Sequence, residues 1–424
     1  MNRQRLLERF LRYVKIDTTA GDGSAGYPSS PGQLELGRLL RDELTALGLN
    51  DVVQSEFGIV TATVPQSIHH APRDASSHAE REGYHPPVIA FCSHLDTSPE
   101  TTGRGVRPQV IERYAGGDIP LGASGLTIRV ADNPELAAMQ GRTLITTDGT
   151  TLLGGDDKAG IAVIMEAAAH LMENLAAPRP PIRICFTCDE EIGHGVDHID
   201  LKDLGAAVCY TLDGQGQDEI DVETFSADGA TVTVRGVNIH PSIGKGRMVN
   251  ALRVAADFVA RLPRTEMTPE TTSDRQGFVH PYIVSGGVAE VTLQILLRDF
   301  DTAALADHAA LLKKTALEVA AETPGSEIDV TITPQYRNLA EGLKCEPRAV
   351  AYAEEALRRL GRQPRCTIVR GGTDGSRLTE LGLPTPNLST GQHNPHSPLE
   401  WACLDEMEAA VAMLVELAAV WSEA

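Results

Sequence analysis

Histidine and carboxylate side chains with the character of metal ligands occur at five separate places along this chain, at His94, Asp156, Glu191, Asp213 and His396. Imidazole nitrogens and carboxylate oxygens are suitable ligands for zinc-type ions. Two histidines and three carboxylates can hold two such ions if one carboxylate bridges them. We therefore predict a site for two Zn²⁺ ions, with Co²⁺ or Mn²⁺ as substitutes.

The first of these places is a histidine directly after an apolar strand. Val88–Cys92 has the composition of a buried strand, and His94 and Asp96 follow it. In an extended chain, residues two apart face the same way, so Asp96 can support His94 from behind while His94 binds a metal. A buried histidine beside a capping aspartate is the structural alternative.

Two further places contain adjacent acidic residues. Asp156 and Asp157 join a glycine-containing loop to a helix, where an N-cap would explain one carboxylate but not both. Glu190 and Glu191 follow the predicted strand Ile182–Thr187. Neighbouring carboxylates repel each other, so a packed site with such pairs needs a cation. One glutamate can bind a metal while its neighbour faces the reacting water; a solvated acidic turn is the alternative.

The remaining two places also follow predicted strands. Asp213 comes directly after Ala206–Leu212, and His396 comes after Thr385–Ser389. Because ligands gather at the carboxyl ends of strands in open α/β sheets, we expect these side chains to meet at one edge. His393 is an alternative to His396 as the ligand.

The predicted elements give an α/β fold with an insertion. Residues 1–60 have the pattern helix, loop, helix, strand, and from Val88 strands and helices alternate, which predicts a largely parallel mixed sheet flanked by helices. From 225 to 335 the pattern is β-α-β-β-α-β, a ferredoxin-like α+β module. The α/β pattern returns at about residue 336. We therefore predict a catalytic domain at 1–224 and 336–424 and an inserted lid domain at 225–335.

The composition excludes some partners. Lys and Arg number 37 and Asp and Glu 58, so the formal charge is −21, which argues against nucleic acid and anionic membranes. No stretch approaches the ~20 apolar residues of a membrane-spanning helix. The seven cysteines lie mostly in apolar runs and are predicted to be reduced, which favours the cytoplasm. Residues 65–86, with four histidines, are predicted to be an exposed loop.

Several motifs together resemble one family, the co-catalytic di-zinc exopeptidases, and within it the aminopeptidases that cleave tripeptides. The resemblance runs from the first helix to the last. It rests on Ser93-His94-Leu95-Asp96-Thr97-Ser98-Pro99, Leu144-Ile145-Thr146-Thr147-Asp148-Gly149, Gly155-Asp156-Asp157-Lys158-Ala159-Gly160-Ile161, Asp189-Glu190-Glu191-Ile192-Gly193, Met248-Val249-Asn250-Ala251-Leu252, Arg298-Asp299-Phe300-Asp301 and Arg370-Gly371-Gly372-Thr373-Asp374-Gly375.

The resemblance implies a role for each candidate residue. It implies hydrolysis by a metal-bridged hydroxide, with the N-terminal residue of a short peptide as the product. It also implies a cis peptide bond after Asp156. The implied roles are one ion on His94 and Asp213, the other on Glu191 and His396, a bridge at Asp156, a general base at Glu190, support of His94 by Asp96, and substrate contacts by His240, Arg298, Asn250 and Arg370.

Some features depart from the family pattern, and other functions stay open. Ser242 stands where the tripeptide-cleaving relatives have glycine, and the segment around His396 differs. A carboxypeptidase, dipeptidase or deacylase of the same family is the nearest alternative. A non-catalytic binding protein on this fold is a second, although no ligand or base is missing. A small peptide is the expected partner, and a homodimer stays open.

Overall fold

The computed structural model describes residues 1–21, 23, 26–67, 86–122 and 124–423. The predicted histidine-rich loop at 65–86 therefore lies almost entirely outside the described residues. Among the helices that the structure describes, none combines the length and the apolar composition needed to cross a membrane.

The predicted strands at 88–92, 182–187 and 206–212 and the helix from Asp157 are present, but seven described strands precede that helix without the predicted alternation. The helices are α1 (Arg3–Tyr13), α2 (Pro31–Ala46), α3 (Gly155–Glu173), α4 (Leu201–Leu204), α5 (Ala251–Arg261), α6 (Ala304–Glu322), α7 (Leu339–Leu343), α8 (Arg348–Arg359), α9 (Asp374–Glu380) and α10 (Leu404–Ser422). The strands are β1 (Asn50–Gln54), β2 (Val60–Val64), β3 (Ile89–His94), β4 (Gln109–Ile111), β5 (Ile119–Leu121), β6 (Leu126–Ile128), β7 (Leu144–Thr146), β8 (Ile182–Thr187), β9 (Val208–Gln215), β10 (Glu219–Thr224), β11 (Ser226–Arg235), β12 (Phe278–Gly286), β13 (Glu290–Asp299), β14 (Glu327–Tyr336), β15 (Arg365–Val369), β16 (Asn387–His393) and β17 (Trp401–Cys403).

The chain divides into two compact units. Unit 1 comprises Met1–Val222, Glu341–Thr367 and the residues from Thr373 onward, and unit 2 comprises Glu223–Ala340 and Ile368–Gly372. The second stretch of unit 2 lies in the part of the chain that the sequence assigned to the catalytic domain.

Unit 1 is built on a mixed sheet, as predicted. Its strand order is β1-β2-β8-β3-β9-β16-β17-β7-β4, and β10 and β15 join beside β16. The pairs β8–β3, β3–β9 and β9–β16 are parallel. The pairs β1–β2, β2–β8, β16–β17, β17–β7 and β7–β4 are antiparallel. Parallel pairing thus joins the four central strands β8, β3, β9 and β16.

Helix α3 packs closely against the centre of this sheet. Residues on all sides of the helix are buried, which matches its apolar sequence Ile161–Ala169. Gly160 makes the close approach possible, since a Cβ there would lie 1.9 Å from the carbonyl oxygen of Leu212 on β9. The start of α3 is thereby held beside the carboxyl end of β9, and these two places contain Asp156 and Asp213.

Unit 2 has the ferredoxin-like topology that the β-α-β-β-α-β order predicts. Its four-stranded sheet has the order β12-β13-β11-β14, and all pairs are antiparallel. One face of the sheet packs on α5 and α6 around a core that includes Val232, Phe258, Leu293 and Leu312. Alternating burial along β13 reflects a strand with one covered face.

Candidate metal centre

Candidate ligands meet at the carboxyl edge of the central parallel strands. His94 is the last residue of β3 and pairs in register with Thr187, the last residue of β8. Glu190 and Glu191 follow Thr187 in a short 3-10 turn, and Asp213 lies near the end of β9. The topology of unit 1 therefore brings together residues that are more than a hundred positions apart in sequence.

A first triad consists of His94, Asp156 and Asp213, whose ligand atoms all lie within 4.8 Å of one another. Nε2 of His94 lies 3.0 Å from Oδ1 of Asp156 and 3.8 Å from Oδ1 of Asp213. The other ring nitrogen, Nδ1, lies 3.1 Å from the carbonyl oxygen of Asp96. His94 thus presents Nε2 to the two carboxylates while Nδ1 faces the chain behind it.

A second triad consists of Asp156, Glu191 and His396. Nε2 of His396 lies 2.9 Å from Oε2 of Glu191 and 3.4 Å from Oδ2 of Asp156. His396 has a φ of 62°, which is in the left-handed region that non-glycine residues adopt infrequently. Asp156 belongs to both triads and turns one carboxylate oxygen toward each histidine.

The two triads fit tetrahedral zinc-type ions. Ligand atoms about 2.1 Å from a tetrahedral ion lie roughly 3.4 Å apart, which is close to the distances above. Oε1 of Glu191 is buried and accepts no hydrogen bond from any described residue, as expected for an oxygen kept for a cation. Nitrogen and carboxylate donors are those that such ions prefer.

Asp96 holds the acidic turn in place. It is completely buried, and its two carboxylate oxygens accept the backbone N–H groups of Glu190 at 3.1 Å and Glu191 at 3.0 Å. Its Oδ1 also lies 3.4 Å from Nδ1 of His94. One side chain therefore orients a ligand from each triad and the neighbouring Glu190.

Asp156 is held by Glu400, a residue to which the sequence assigns no role. Glu400 is buried and accepts backbone N–H groups from Leu153, Gly154 and Asp156. The peptide bond between Asp156 and Asp157 is cis, which confirms the expectation from the family resemblance. Glu400 lies nearly 250 residues after Asp156, and a contact over that distance leaves no periodic pattern in the sequence. The sequence therefore indicates Glu400 only as part of the segment after His396.

Two other carboxylates near the centre are buried, and the sequence assigns a role to neither of them. Asp374 accepts a hydrogen bond of 2.6 Å from the Thr187 hydroxyl, and a Cβ on Gly195 would lie 1.9 Å from its Oδ1. Asp157 accepts hydrogen bonds from the Ser93 hydroxyl and, at 3.2 Å, from the backbone of His94. Asp157 was indicated by its pairing with Asp156, whereas Asp374 was indicated only as part of a motif of the family resemblance.

His393 is not part of either triad. Its Nε2 lies 2.7 Å from Oε2 of Glu406, and its ring stacks on Trp401 with the centroids 3.7 Å apart. The structure therefore places His396, and not the alternative, beside Asp156. Cys185 and Cys188, which have the spacing of a redox pair, pack in different apolar clusters, as two residues facing opposite ways from a strand should.

The four predicted substrate residues lie in unit 2. Asn250 caps helix α5, and its side chain accepts the Leu252 N–H. His240 is exposed, with Nδ1 2.7 Å from the Ser242 hydroxyl. The Asn250 side chain therefore caps a helix, whereas the His240 side chain is exposed to solvent.

The two arginines of this group differ in how their donors are used. Arg370 donates to the carbonyl oxygens of Asp274 and Gln276 and to the Thr272 hydroxyl. Arg298 uses Nη1 for two backbone carbonyl oxygens and lies over the Tyr336 ring. Nε and Nη2 of Arg298 donate to no acceptor among the described residues, so these N–H groups are available to a ligand.

Negative charge dominates the centre, and this shifts its ionisation equilibria. Burial raises the pKa of Glu191 to about 7, and the neighbouring Asp156 charge adds to the rise. Burial likewise raises the pKa of Asp213 to about 7. Burial opposes charge on His396, but its hydrogen bonds with Asp156 and Glu191 raise its pKa to about 11. Without another cation, the centre therefore holds protons at neutral pH.

These shifts predict that metal binding releases protons. His396 has a raised pKa, so its proton must leave before Nε2 can bind an ion, and below about pH 7 Glu191 and Asp213 must lose protons too. The affinity should therefore fall as the pH falls, by about tenfold per unit for each proton released, and most steeply below about pH 7. Calorimetric titration in buffers of different ionisation enthalpy measures the protons released. An affinity that is constant from pH 5.5 to 8 would contradict this.

Comparison with known proteins gives a consistent result. Residues 149–420 match the family model described as peptidase family M20/M25/M40. The chain is 42% identical to Peptidase T from Halothermothrix orenii over 414 residues, or 97% of this chain and 98% of that one. It is similar in fold to a tripeptidase from Staphylococcus aureus, with a TM-score of 0.77, 23% identity and full coverage of both chains. It is also similar to aminopeptidase PepT from Bacillus cereus, with a TM-score of 0.73, 23% identity and 99% coverage of both.

Proposed function

This chain belongs to peptidase family M20/M25/M40, and we propose that it is a metal-dependent aminopeptidase that removes the N-terminal residue from short peptides, tripeptides above all. The observation that carries the proposal is the pair of triads that share Asp156. The names of the similar proteins, Peptidase T, tripeptidase and aminopeptidase, support the choice of substrate.

We propose that the centre holds two ions, Zn²⁺ first and Co²⁺ or Mn²⁺ as substitutes. His94 and Asp213 would hold one ion, Glu191 and His396 the other, and Asp156 both. Bound ions supply Lewis acidity, which makes water nucleophilic at neutral pH and polarises the scissile carbonyl. The raised pKa values in this centre suit such a role, because a bound cation takes the place of the protons that these groups hold at neutral pH.

Glu190 is proposed to be the general base. Burial raises the pKa of its carboxyl group well above the usual range, and the charges of Asp374 and Asp213 add to that rise. A carboxylate with a raised pKa can accept a proton from the attacking water and return it to the leaving amine. Asp96 fixes the turn that contains this carboxylate by accepting the Glu190 N–H.

The substrate contacts are proposed to come from an inserted lid domain, residues 225–335, and from Arg370, with the catalytic domain at 1–224 and 336–424. His240 would stabilise the developing oxyanion, and Asn250 would contact the substrate. Arg298 or Arg370 would bind the peptide's carboxylate through a forked pair of hydrogen bonds. The unused Nε and Nη2 of Arg298 favour Arg298 over Arg370 for this contact.

A panel of free di-, tri- and tetrapeptides, each tested with zinc, cobalt and manganese, tests the proposal. Tripeptides should give the highest kcat/KM, because a carboxylate held at a fixed distance from the metals measures peptide length. Amidating the C-terminus should lower kcat/KM by about 10- to 100-fold, the value of a hydrogen bond to a charged group. Equal turnover of free and amidated tripeptides would contradict this, and release of the C-terminal residue first would indicate a carboxypeptidase.

Arginine variants identify the residue that binds the carboxylate. Arg298→Lys should lower kcat/KM for free tripeptides and have little effect on amidated ones, because lysine offers a point charge and no fork. Arg275→Lys is the matched control, since Arg275 lies in the same unit and is exposed in an ion pair with Glu223. The same loss on free and amidated substrates would show that the arginine supports the fold and does not bind the carboxylate.

The competing functions make different predictions. A dipeptidase or deacylase of the family would prefer dipeptides or N-acylated amino acids in the same panel, and a binding protein would cleave none of them. We propose a cytoplasmic location because all seven cysteines are free thiols, five of them buried.

A further inference from the structure

The buried carboxylate of Glu400 lies directly behind the residue shared by the two triads. Glu400 is 1% exposed. Its Oε2 accepts the N–H of Leu153 at 2.7 Å and of Gly154 at 2.8 Å, and its Oε1 accepts the N–H of Asp156 at 3.0 Å. One side chain thus binds three of the four backbone N–H groups between residues 153 and 156.

The loop is shaped to receive this carboxylate. A Cβ on Gly155 would lie 3.1 Å from Oε1 of Glu400, which is closer than ordinary van der Waals contact. Gly154 has a φ of 77°, a conformation that side chains disfavour. The glycines therefore allow the backbone to wrap around Glu400 and to turn successive N–H groups toward it.

The same segment also includes a candidate ligand of the second triad. His396 and Glu400 are four residues apart, and the Glu400 N–H donates to the carbonyl oxygen of Ser397 at 3.1 Å. His396 contacts Asp156 directly through its imidazole, and Glu400 contacts the backbone of Asp156. A short, internally hydrogen-bonded segment therefore holds the shared carboxylate from two sides.

We propose that Glu400 is a positioning residue that fixes Asp156 between the two histidines, so that both metal sites depend on it. This inference rests on the proposed two-metal centre. The three N–H groups set where the Asp156 backbone lies, and that position determines whether one oxygen can face each ion. Because a bridge serves both sites, its displacement weakens both, unlike the loss of a ligand that serves one.

Glu400→Gln tests the proposal with almost no change in volume. Glutamine has one acceptor oxygen and one NH₂ group, so at least one backbone N–H must face a donor. Both ions should then bind about 10- to 100-fold more weakly, the usual cost of losing a residue that orients a metal ligand. Competition with a chelator measures the affinity of each of the two sites without requiring activity. The titration is done once with zinc and once with cobalt.

Glu406→Gln is the matched control. Glu406 is similarly buried, at 3% exposure, and is paired with His393 and Arg142 outside the triads. Its variant loses a buried carboxylate in the same way, so it reports the general cost of such a loss. We expect it to bind both ions within about twofold of the wild-type affinity, with any effect confined to the melting temperature of the metal-free protein.

The outcomes separate this inference from the proposed centre. Wild-type protein that binds fewer than two ions per chain would overturn the centre itself. Two ions in the wild type and unchanged affinities in Glu400→Gln would overturn the role of Glu400 alone, as would loss at one site only. If Glu400→Gln does not fold, Gly155→Ala serves instead, since its Cβ would lie 3.1 Å from Oε1 of Glu400 and must push that carboxylate aside by a few tenths of an ångström. A folded Gly155→Ala protein with both affinities unchanged would overturn the proposal equally.

Discussion

Glu190→Gln should lower kcat by at least ~10²–10⁴-fold while leaving two ions bound. A general base alone contributes about that factor, and here the base also orients the nucleophile. Glutamine keeps the shape of the side chain but cannot accept the proton. The Glu190 N–H donates to Asp96 from the backbone, so the turn and the neighbouring Glu191 should be retained in the variant. Steady-state kinetics and metal analysis of the same preparation measure both quantities.

The contrast with Glu191 makes this test specific. Glu191→Gln should lower the affinity of the second ion, because its Oε2 lies 2.9 Å from Nε2 of His396. The two variants would then differ in kind: Glu190→Gln would lower kcat, and Glu191→Gln would lower metal affinity. If Glu190→Gln hydrolyses tripeptides at the wild-type rate, Glu190 is not the base. If it loses its metal, the kinetic loss has another cause.

The position of the candidate centre could be predicted because it follows from topology. His94 ends a parallel strand, Asp213 lies near the end of another and Glu191 follows a third, and the carboxyl ends of such strands meet at one edge. The strands themselves have strong local signals, since β3 and β8 are short apolar runs buried on both faces. The sequence therefore contained the order and the polarity of the central elements.

The outer parts of the fold had no comparable signal. Strands β4, β7 and β17 are three residues long, which is too short for an alternating pattern to be visible. The segment Ile368–Gly372 is also too short for a visible pattern, and it belongs to unit 2 although the chain around it belongs to unit 1. Tertiary pairing decides such segments, and a local pattern cannot report it.

The residues that hold the ligands were the hardest to predict. Glu400 and Asp374 act through hydrogen bonds to chain segments far away in sequence. Spacing cannot reveal a contact between residues 156 and 400, whereas His94 and Asp96 lie two residues apart on one strand end. Local geometry thus predicted the support of His94, but the support of Asp156 required the folded chain.

Asp156→Ala should remove both ions. Each oxygen of Asp156 faces a different histidine, at 3.0 Å for His94 and 3.4 Å for His396. Without this carboxylate each triad has only two ligands left, one histidine and one acid, which is fewer than the three or four protein ligands of ordinary zinc sites. The two ions would also lose the negative charge that lies between them, and their mutual repulsion would increase.

Single-site variants provide the comparison. His94→Ala and His396→Ala should each weaken one ion more than the other, because each histidine belongs to one triad. Metal content after dialysis against a weak chelator should therefore be near zero in Asp156→Ala and near one ion in each histidine variant. Circular dichroism establishes that the metal-free variants are folded. Two tightly held ions in Asp156→Ala would refute the bridge. Equal loss in all three variants would mean that the two ions bind only together, and that Asp156 is no more shared than either histidine.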